Sequence, residues 1–260
     1  MKLTTKFEAV YTRYNKQEFI HPDPLEFLEK YEDVRDREIA GLVASSLAYG
    51  RVSQILKSVD QVLDVMNPSP YEFLKSSSKE NIGDKFKGFK HRFAKDTDLS
   101  GLLIGIKGAI EEHGSLNACF LNGYDESDET VQPALSSFVD SLIAGGGETN
   151  LLPDPSKGSA CKRLNLFLRW MVREDEVDPG GWSGISPSKL IAPLDTHMHK
   201  IGLGLDMTSR RQGNMQTALE VTKALAEICP EDPIKYDFAL TRFGIRDDMD
   251  MEEIFRLCEE

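Results

Sequence analysis

From Pro193 to Asp206 the chain reads PLDTHMHKIGLGLD, with an aspartate, two histidines and a lysine packed between Asp195 and Lys200. Three chemistries compete for these residues. As a metal motif, Asp195, His197 and His199 would be the ligands. On a helix Asp195 and His199 share a face at i and i+4 while His197 points elsewhere, so the three do not converge. On a strand His197 and His199 would share a face, but the flanking sequence offers no sheet to hold it. His21, His91 and His113 lie at no ligand-like spacing, and no metal is expected. As a cap, Asp195 would precede a helix starting at Thr196, its carboxylate accepting a hydrogen bond from the amide of residue 197 or 198. As the acid of an active site, Asp195 requires a partner.

A candidate partner lies upstream, in KGSACKRLNLFLRWMV from Lys157 to Val172. Gly158 and Ser159 stand at the mouth of a helix, with Lys162 on its first turn. Such a mouth offers free amides and a positive dipole end to a phosphate, and Lys157 and Lys162 add charge. A partly desolvated amine at that end is also a better nucleophile. A lysine and an aspartate beside a phosphate site suit chemistry at a sugar carbon. The competing reading keeps Lys162 and Arg163 as ordinary solvated helix residues.

The elements that must position these groups read as helices. Ile39, Leu42, Val43 and Leu47 follow helical spacing, with Asp36 as the expected cap and Gly50 as the expected stop. The pattern repeats from Val52 to Met66 until Asn67-Pro68 breaks it, and further helices are expected over 98–110, 132–144, 162–172, 215–228 and 233–243. No run of alternating β-branched residues with hairpin turns competes with them. Breaks fall at 76–79, 123–129, 145–159 and 178–188. The three glycines from Gly145 are read as incompatible with a helix interior. The spacing predicts an all-α fold: a single compact helical domain over 1–260 with two lobes, about 30–147 forming one and the N-terminal segment plus 148–260 the other.

No apolar run reaches the roughly 18 residues a membrane span needs, and the N-terminal residues meet charge too soon for a secretion signal. A cytoplasmic protein without membrane contact is expected. Cys119, Cys161, Cys229 and Cys258 are too widely spaced for a zinc quartet or an iron–sulfur tail cluster and read as reduced, structural residues. The net charge of -12 argues globally against binding a polyanion. That charge is concentrated in 125–129 and 247–260, whereas KFKGFKHRFAK, Lys85 to Lys95, holds five basic residues and no acid. The rings of Phe86, Phe89 and Phe93 are expected to pack inward beneath that charged face, with Arg92 a candidate backbone contact.

GSACKRLN runs Gly158, Lys162, Asn165, and LDTHMHKIGLGLDM carries Asp195 into a basic, apolar helix. In both stretches the chain resembles the helix-hairpin-helix superfamily of DNA base-excision glycosylases, the group that includes endonuclease III, and within it an uncharacterised bacterial branch. The segment from Lys235 to Arg246 resembles the helix closing the same lobe, and that from Gly41 to Val59 the helix pair opening the other. The resemblance implies a two-lobed glycosylase-like fold with a modified hairpin, and a glycosylase, with or without lyase activity, acting on a damaged or mismatched base in duplex DNA without a cofactor. It gives Asp195 the stabilisation of positive charge at the sugar C1′, Lys162 the attack there, and Lys157, Gly158, Ser159, Arg92 and Lys200 the DNA contacts.

Three departures stand against the family pattern. Pro155 and Ser156 are inserted in the hairpin and Ala160 replaces its second glycine; the segment 173–189 is an insertion between Lys162 and Asp195; and a C-terminal cysteine cluster is absent. Two alternatives stay open on the sequence. One is a non-catalytic nucleic-acid or nucleotide binding module on the same scaffold, and the other a metal-dependent hydrolase using His197 and His199.

Overall fold

The structure, a computed structural model, describes residues 3–147 and 149–259. It is all-α. The helices in chain order are α1 (Leu3–Tyr14), α2 (Val34–Ser46), α3 (Val52–Met66), α4 (Pro70–Ser76), α5 (Lys79–Lys85), α6 (Asp96–His113), α7 (Leu116–Leu121), α8 (Gln132–Gly146), α9 (Lys162–Val172), α10 (Thr196–Gly204), α11 (Met215–Ala226), α12 (Asp237–Ile245) and α13 (Met251–Glu259). Among the described residues the extended structure is confined to one antiparallel pair, β1 (Lys90–His91) and β2 (Ala94–Lys95). No helix among them is long and apolar enough to cross a membrane.

Side-chain caps set most of the helix starts. Ser69, Ser78, Ser115, Asp195 and Asn214 each accept a bond from a first-turn amide of α4, α5, α7, α10 and α11. The cap of α2 is Asp33, not Asp36. Asp36 lies one turn inside, where it accepts from Ser69 Oγ at 2.7 Å and Tyr71 N at 2.8 Å and so ties α2 to the start of α4. Gly50 is not the stop either, since α2 ends at Ser46.

Helix α2 is buried at every position from Glu38 to Ser46 and packs against the 3-10 turn Pro24–Lys30 and against α9, α4 and α7. Its Glu38 carboxylate, pushed upward by burial, accepts from Leu116 N at 2.8 Å, Asn117 N at 3.1 Å and Trp182 Nε1 at 2.8 Å. One buried acid thus caps α7 and anchors the inserted segment 173–189. Trp182 completes that anchor among Phe120, Phe138 and Phe167, with ring centroids 5.1–6.3 Å away. At the other end of the molecule α1 packs on α12 and α13.

The glycine run departs from expectation. Gly145 and Gly146 lie inside α8, which ends where Gly147 turns to φ 90°. The reason is a partner backbone. A Cβ on Gly105 of α6 would strike the Leu142 carbonyl, and one on Gly146 would strike the Gly101 carbonyl and Gly105. A Cβ on Gly108 would come 3.0 Å from the Gly145 Cα. The two helices touch main chain to main chain, which only glycine permits, and that contact offsets the propensity cost of about 1 kcal/mol per helical glycine.

A chain of buried ion pairs ties the remaining helices together. Arg169 of α9 donates from Nε to Asp178 at 3.1 Å and from Nη1 to Asp237 of α12 at 2.5 Å. Arg173 binds Asp178 again, as well as Asp175 and Asp232, each of the last two at 2.9 Å. Tyr11 of α1 donates to Asp175 at 3.0 Å, and Arg242 of α12 donates to Asp23 at 2.9 Å. Burial alone would lower the pKa of Arg169; Asp178 and Asp237 outweigh it and hold the pKa above the ordinary arginine value.

Two outcomes follow. Gly105→Ala should lower unfolding free energy by about 1–3 kcal/mol in urea melts despite alanine's better helix propensity; an unchanged midpoint would exclude the backbone contact. Arg169→Ala should cost about 3–5 kcal/mol, because it strands the buried Asp237 carboxylate and leaves Asp178 to Arg173 alone. Combining Arg169→Met with Asp237→Asn should recover part of that loss, and a strictly additive double variant would rule out the coupling.

Candidate active site

A cavity of about 800 Å³ opens between the start of α9, the start of α10 and the face of α12. Its lining includes Lys162 and Asp195, together with Tyr49, Ser159, Arg163 and His197.

Asp195 is the cap of α10, with its backbone extended at φ -104°. Its Oδ1 accepts from His197 N at 2.9 Å and Met198 N at 2.8 Å. Both capping bonds go to one oxygen, so Oδ2 is left without a hydrogen bond from the described residues. The helix start therefore fixes the carboxylate and leaves half of it available for chemistry. The half-buried side chain lies close enough to Asp237 for the two carboxylates to repel.

Lys162 opens α9. The residue before it, Cys161, is in the left-handed region at φ 46°, and no side chain caps the helix. An uncapped start leaves first-turn amides and the positive end of the dipole without protein partners at the cavity edge. The lysines that form ion pairs among the described residues are Lys30, Lys107, Lys157 and Lys235; the amine of Lys162, half-buried, is not among them. Cys161 is no rival nucleophile, because burial pushes its thiol upward and keeps it protonated.

The two histidines have other work. His199 donates from Nε2 to the Arg210 carbonyl at 2.7 Å. The His197 ring packs so tightly on Gly244 of α12 that a Cβ there would collide with it. Among the described residues no group of three or more His, Cys, Asp or Glu is placed to hold a metal.

The remaining predicted residues divide. Ser159 lines the cavity and pairs in an isolated bridge with Asn214. Gly158 beside it sits at φ 75° after the 3-10 turn Pro155–Lys157, and its carbonyl accepts from Met215 N at 3.1 Å. This short turn is braced from the start of α11. Lys157 extends into solvent and pairs with Asp154 at 3.3 Å. Lys200 is exposed on α10 and outside the lining. None of residues 173–189 lines the cavity; the segment braces α2 through Trp182 and α9 through Asp178.

Arg92 is outside the lining, at φ 52° in the turn joining β1 and β2, with its side chain across the lining residue Gly50. Phe86 and Phe89 are buried as expected, but Phe93 is not: it is 78% exposed at the tip of the same turn. Strand alternation accounts for the difference, since pairing His91 with Ala94 leaves Arg92 and Phe93 as the two connecting residues with no core to enter.

Arg163, weighed on the sequence as a solvated helix residue, and four residues that the sequence did not single out complete the cavity wall. Arg163 donates to the Ser46 carbonyl at 2.6 Å and lies over the Tyr49 ring at 5.0 Å. Arg169, Asp237, Arg242 and Asp23 form the deep side. Arg169 Nη2, Asp237 Oδ1 and two nitrogens of Arg242 have no protein partner there. The signal for them was a charge at buried spacing, Arg169 within LFLRWMV and Arg242 within FALTRFGI. With Lys162 and Arg163 the lining holds four cations against the three carboxylates of Asp23, Asp195 and Asp237, a local excess of positive charge in a chain of net -12.

No curated protein and no solved structure matches the chain. A family match does span most of it, from Asp23 through both helix starts of the cavity to residue 246, just past the end of α12. With residues 23–246 matched, the chain belongs to DUF2400, the family described as a protein of unknown function.

Proposed function

We propose that the protein is a DNA glycosylase with lyase activity, acting on a damaged or mismatched base flipped into the cavity. The observation carrying this reading is that a lysine amine with no ion-pair partner among the described residues, and a carboxylate with one oxygen they leave unbonded, line the same cavity from the starts of α9 and α10. The uncapped start of α9 suits a strand phosphate beside the reacting sugar. The two-lobed arrangement with a modified hairpin belongs to the same reading, and it makes DNA the partner.

In this mechanism the Lys162 ammonium gives a proton to solvent, and the neutral nitrogen forms a bond to C1′ as the glycosidic bond breaks. The electron pair leaves with the base, which takes a proton from solvent. The Asp195 carboxylate stabilises the positive charge that builds on the sugar during this exchange. The C1′–O4′ bond then opens, O4′ takes a proton lost from nitrogen, and a protonated imine joins Lys162 to the sugar. A proton then leaves C2′ for solvent, its electrons form the C2′–C3′ double bond, and the C3′–O bond breaks with the 3′-phosphate as leaving group, which cuts the strand. Flipping costs a few kcal/mol, least for a weakened pair, which gives a first level of selection.

Borohydride should trap the imine as a stable adduct with duplexes carrying an abasic site, and Lys162→Ala should abolish it. Asp195→Asn, which can still cap α10, should keep the thermal midpoint while slowing base release on the order of a hundredfold. Absence of both adduct and base release across a panel of damaged duplexes would overturn the reading.

A further inference from the structure

The hairpin between β1 and β2 has no part in the chemistry above, yet it presents the most exposed large apolar side chain among the described residues. Phe93 is 78% exposed, against 37% for Val65 and 38% for Leu203. A ring left in water at the end of a turn would ordinarily be a mobile feature, but this turn is pinned. Tyr49 donates from its hydroxyl to the His91 carbonyl at 3.0 Å, and His91 donates from Nε2 to the Tyr49 carbonyl at 3.1 Å. That leaves His91 Nδ1 to accept from the Ser58 hydroxyl at 2.9 Å, and burial keeps the ring neutral by lowering its pKa. The residues that hold the hairpin also border the cavity, since Tyr49 and Gly50 line it. Arg92 lies so close over Gly50 that a Cβ there would come 2.6 Å from its side chain.

The charge around the ring is of one sign. Lys85, Lys87, Lys90, Arg92 and Lys95 are all exposed, no acid falls between Asp84 and Asp96, and the Arg92 guanidinium stands 5.5 Å from the Phe93 ring centre. A fixed aromatic face beside clustered cations is the arrangement that binds a single nucleic-acid strand: bases stack on the ring whatever their identity, and the cations meet the phosphates. We propose that Phe93 is a stacking platform for an unpaired base of a DNA strand whose neighbouring nucleotide enters the cavity, with Arg92 bridging ring and backbone. This rests on the glycosylase reading for the identity of the strand, and it assigns a base contact outside the reacting pocket.

The test uses Phe93→Trp. The two native tryptophans, Trp170 and Trp182, are buried, so a tryptophan at 93 dominates any response to solvent and to stacked bases. Titration with an oligo-dT and with an abasic duplex should quench its emission and shield it from acrylamide. Phe93→Ala should weaken oligo-dT binding about tenfold while leaving adduct formation intact at saturating duplex. Val65→Ala, an exposed apolar control at the opposite end of α3 from the cavity residue Val52, should leave both unchanged. If the protein binds DNA and forms the borohydride adduct while emission at position 93 stays constant at saturation, the platform is wrong and the glycosylase reading stands. If wild-type protein binds neither oligo-dT nor the abasic duplex, both fall; quenching by a protein fraction alone would also overturn the platform.

Discussion

Arg169 is the interaction on which the rest depends. Its guanidinium reaches from the middle of α9 to Asp178 in the inserted segment and to Asp237 at the start of α12, all three side chains at most 3% exposed. A buried charge is unfavourable unless paired and hydrogen bonded, so the network admits few arrangements of these elements. Arg173 repeats the logic one turn later, and Tyr11 draws α1 into the same network. Replacing such a cluster with apolar residues often raises stability in other proteins. What it supplies here is register: α9 and α12 are held at one depth, and with them the two walls that carry Lys162 and Arg242.

The site is built from helix starts. Asp195 makes one helix begin, and the same fixation aims its spare oxygen. Cys161 does the reverse for α9, where a left-handed residue without a capping side chain leaves the amides uncovered. A capped start and an uncapped start on one cavity set a carboxylate and the positive end of a helix dipole in the same wall. Such a pairing of opposite preferences suits a reaction in which positive charge develops beside a phosphate.

Much of this was legible in the sequence, and the reason is local. The bounds of α3 and α9, and the Asp195 cap with its bonds to residues 197 and 198, follow from apolar spacing and side-chain chemistry within one or two turns. What escaped depended on distant partners. Gly145 and Gly146 look like a break until the backbone of α6 is set against them. Arg169 and Arg242 sit at buried spacing, but the aspartates that pair them lie 68 and 219 residues away and are not marked by any local pattern. Phe93 looked like a third core ring because spacing shows that rings recur, but a two-residue turn resets which side each one faces. Within the site, Lys162 and Asp195 were found by chemistry, whereas the deep wall of Asp23, Arg169, Asp237 and Arg242 needed the fold.

The hydrogen bonds between Tyr49 and His91 have an entropic consequence. A surface loop that stiffens on meeting a ligand gives up backbone freedom worth about 1–2 kcal/mol for each residue it orders. Here the two tip residues are already held from behind by paired strands and a neutral imidazole, so little freedom remains to be lost on contact. The ordering took place when the chain folded, and the cost was an aromatic ring left standing in water.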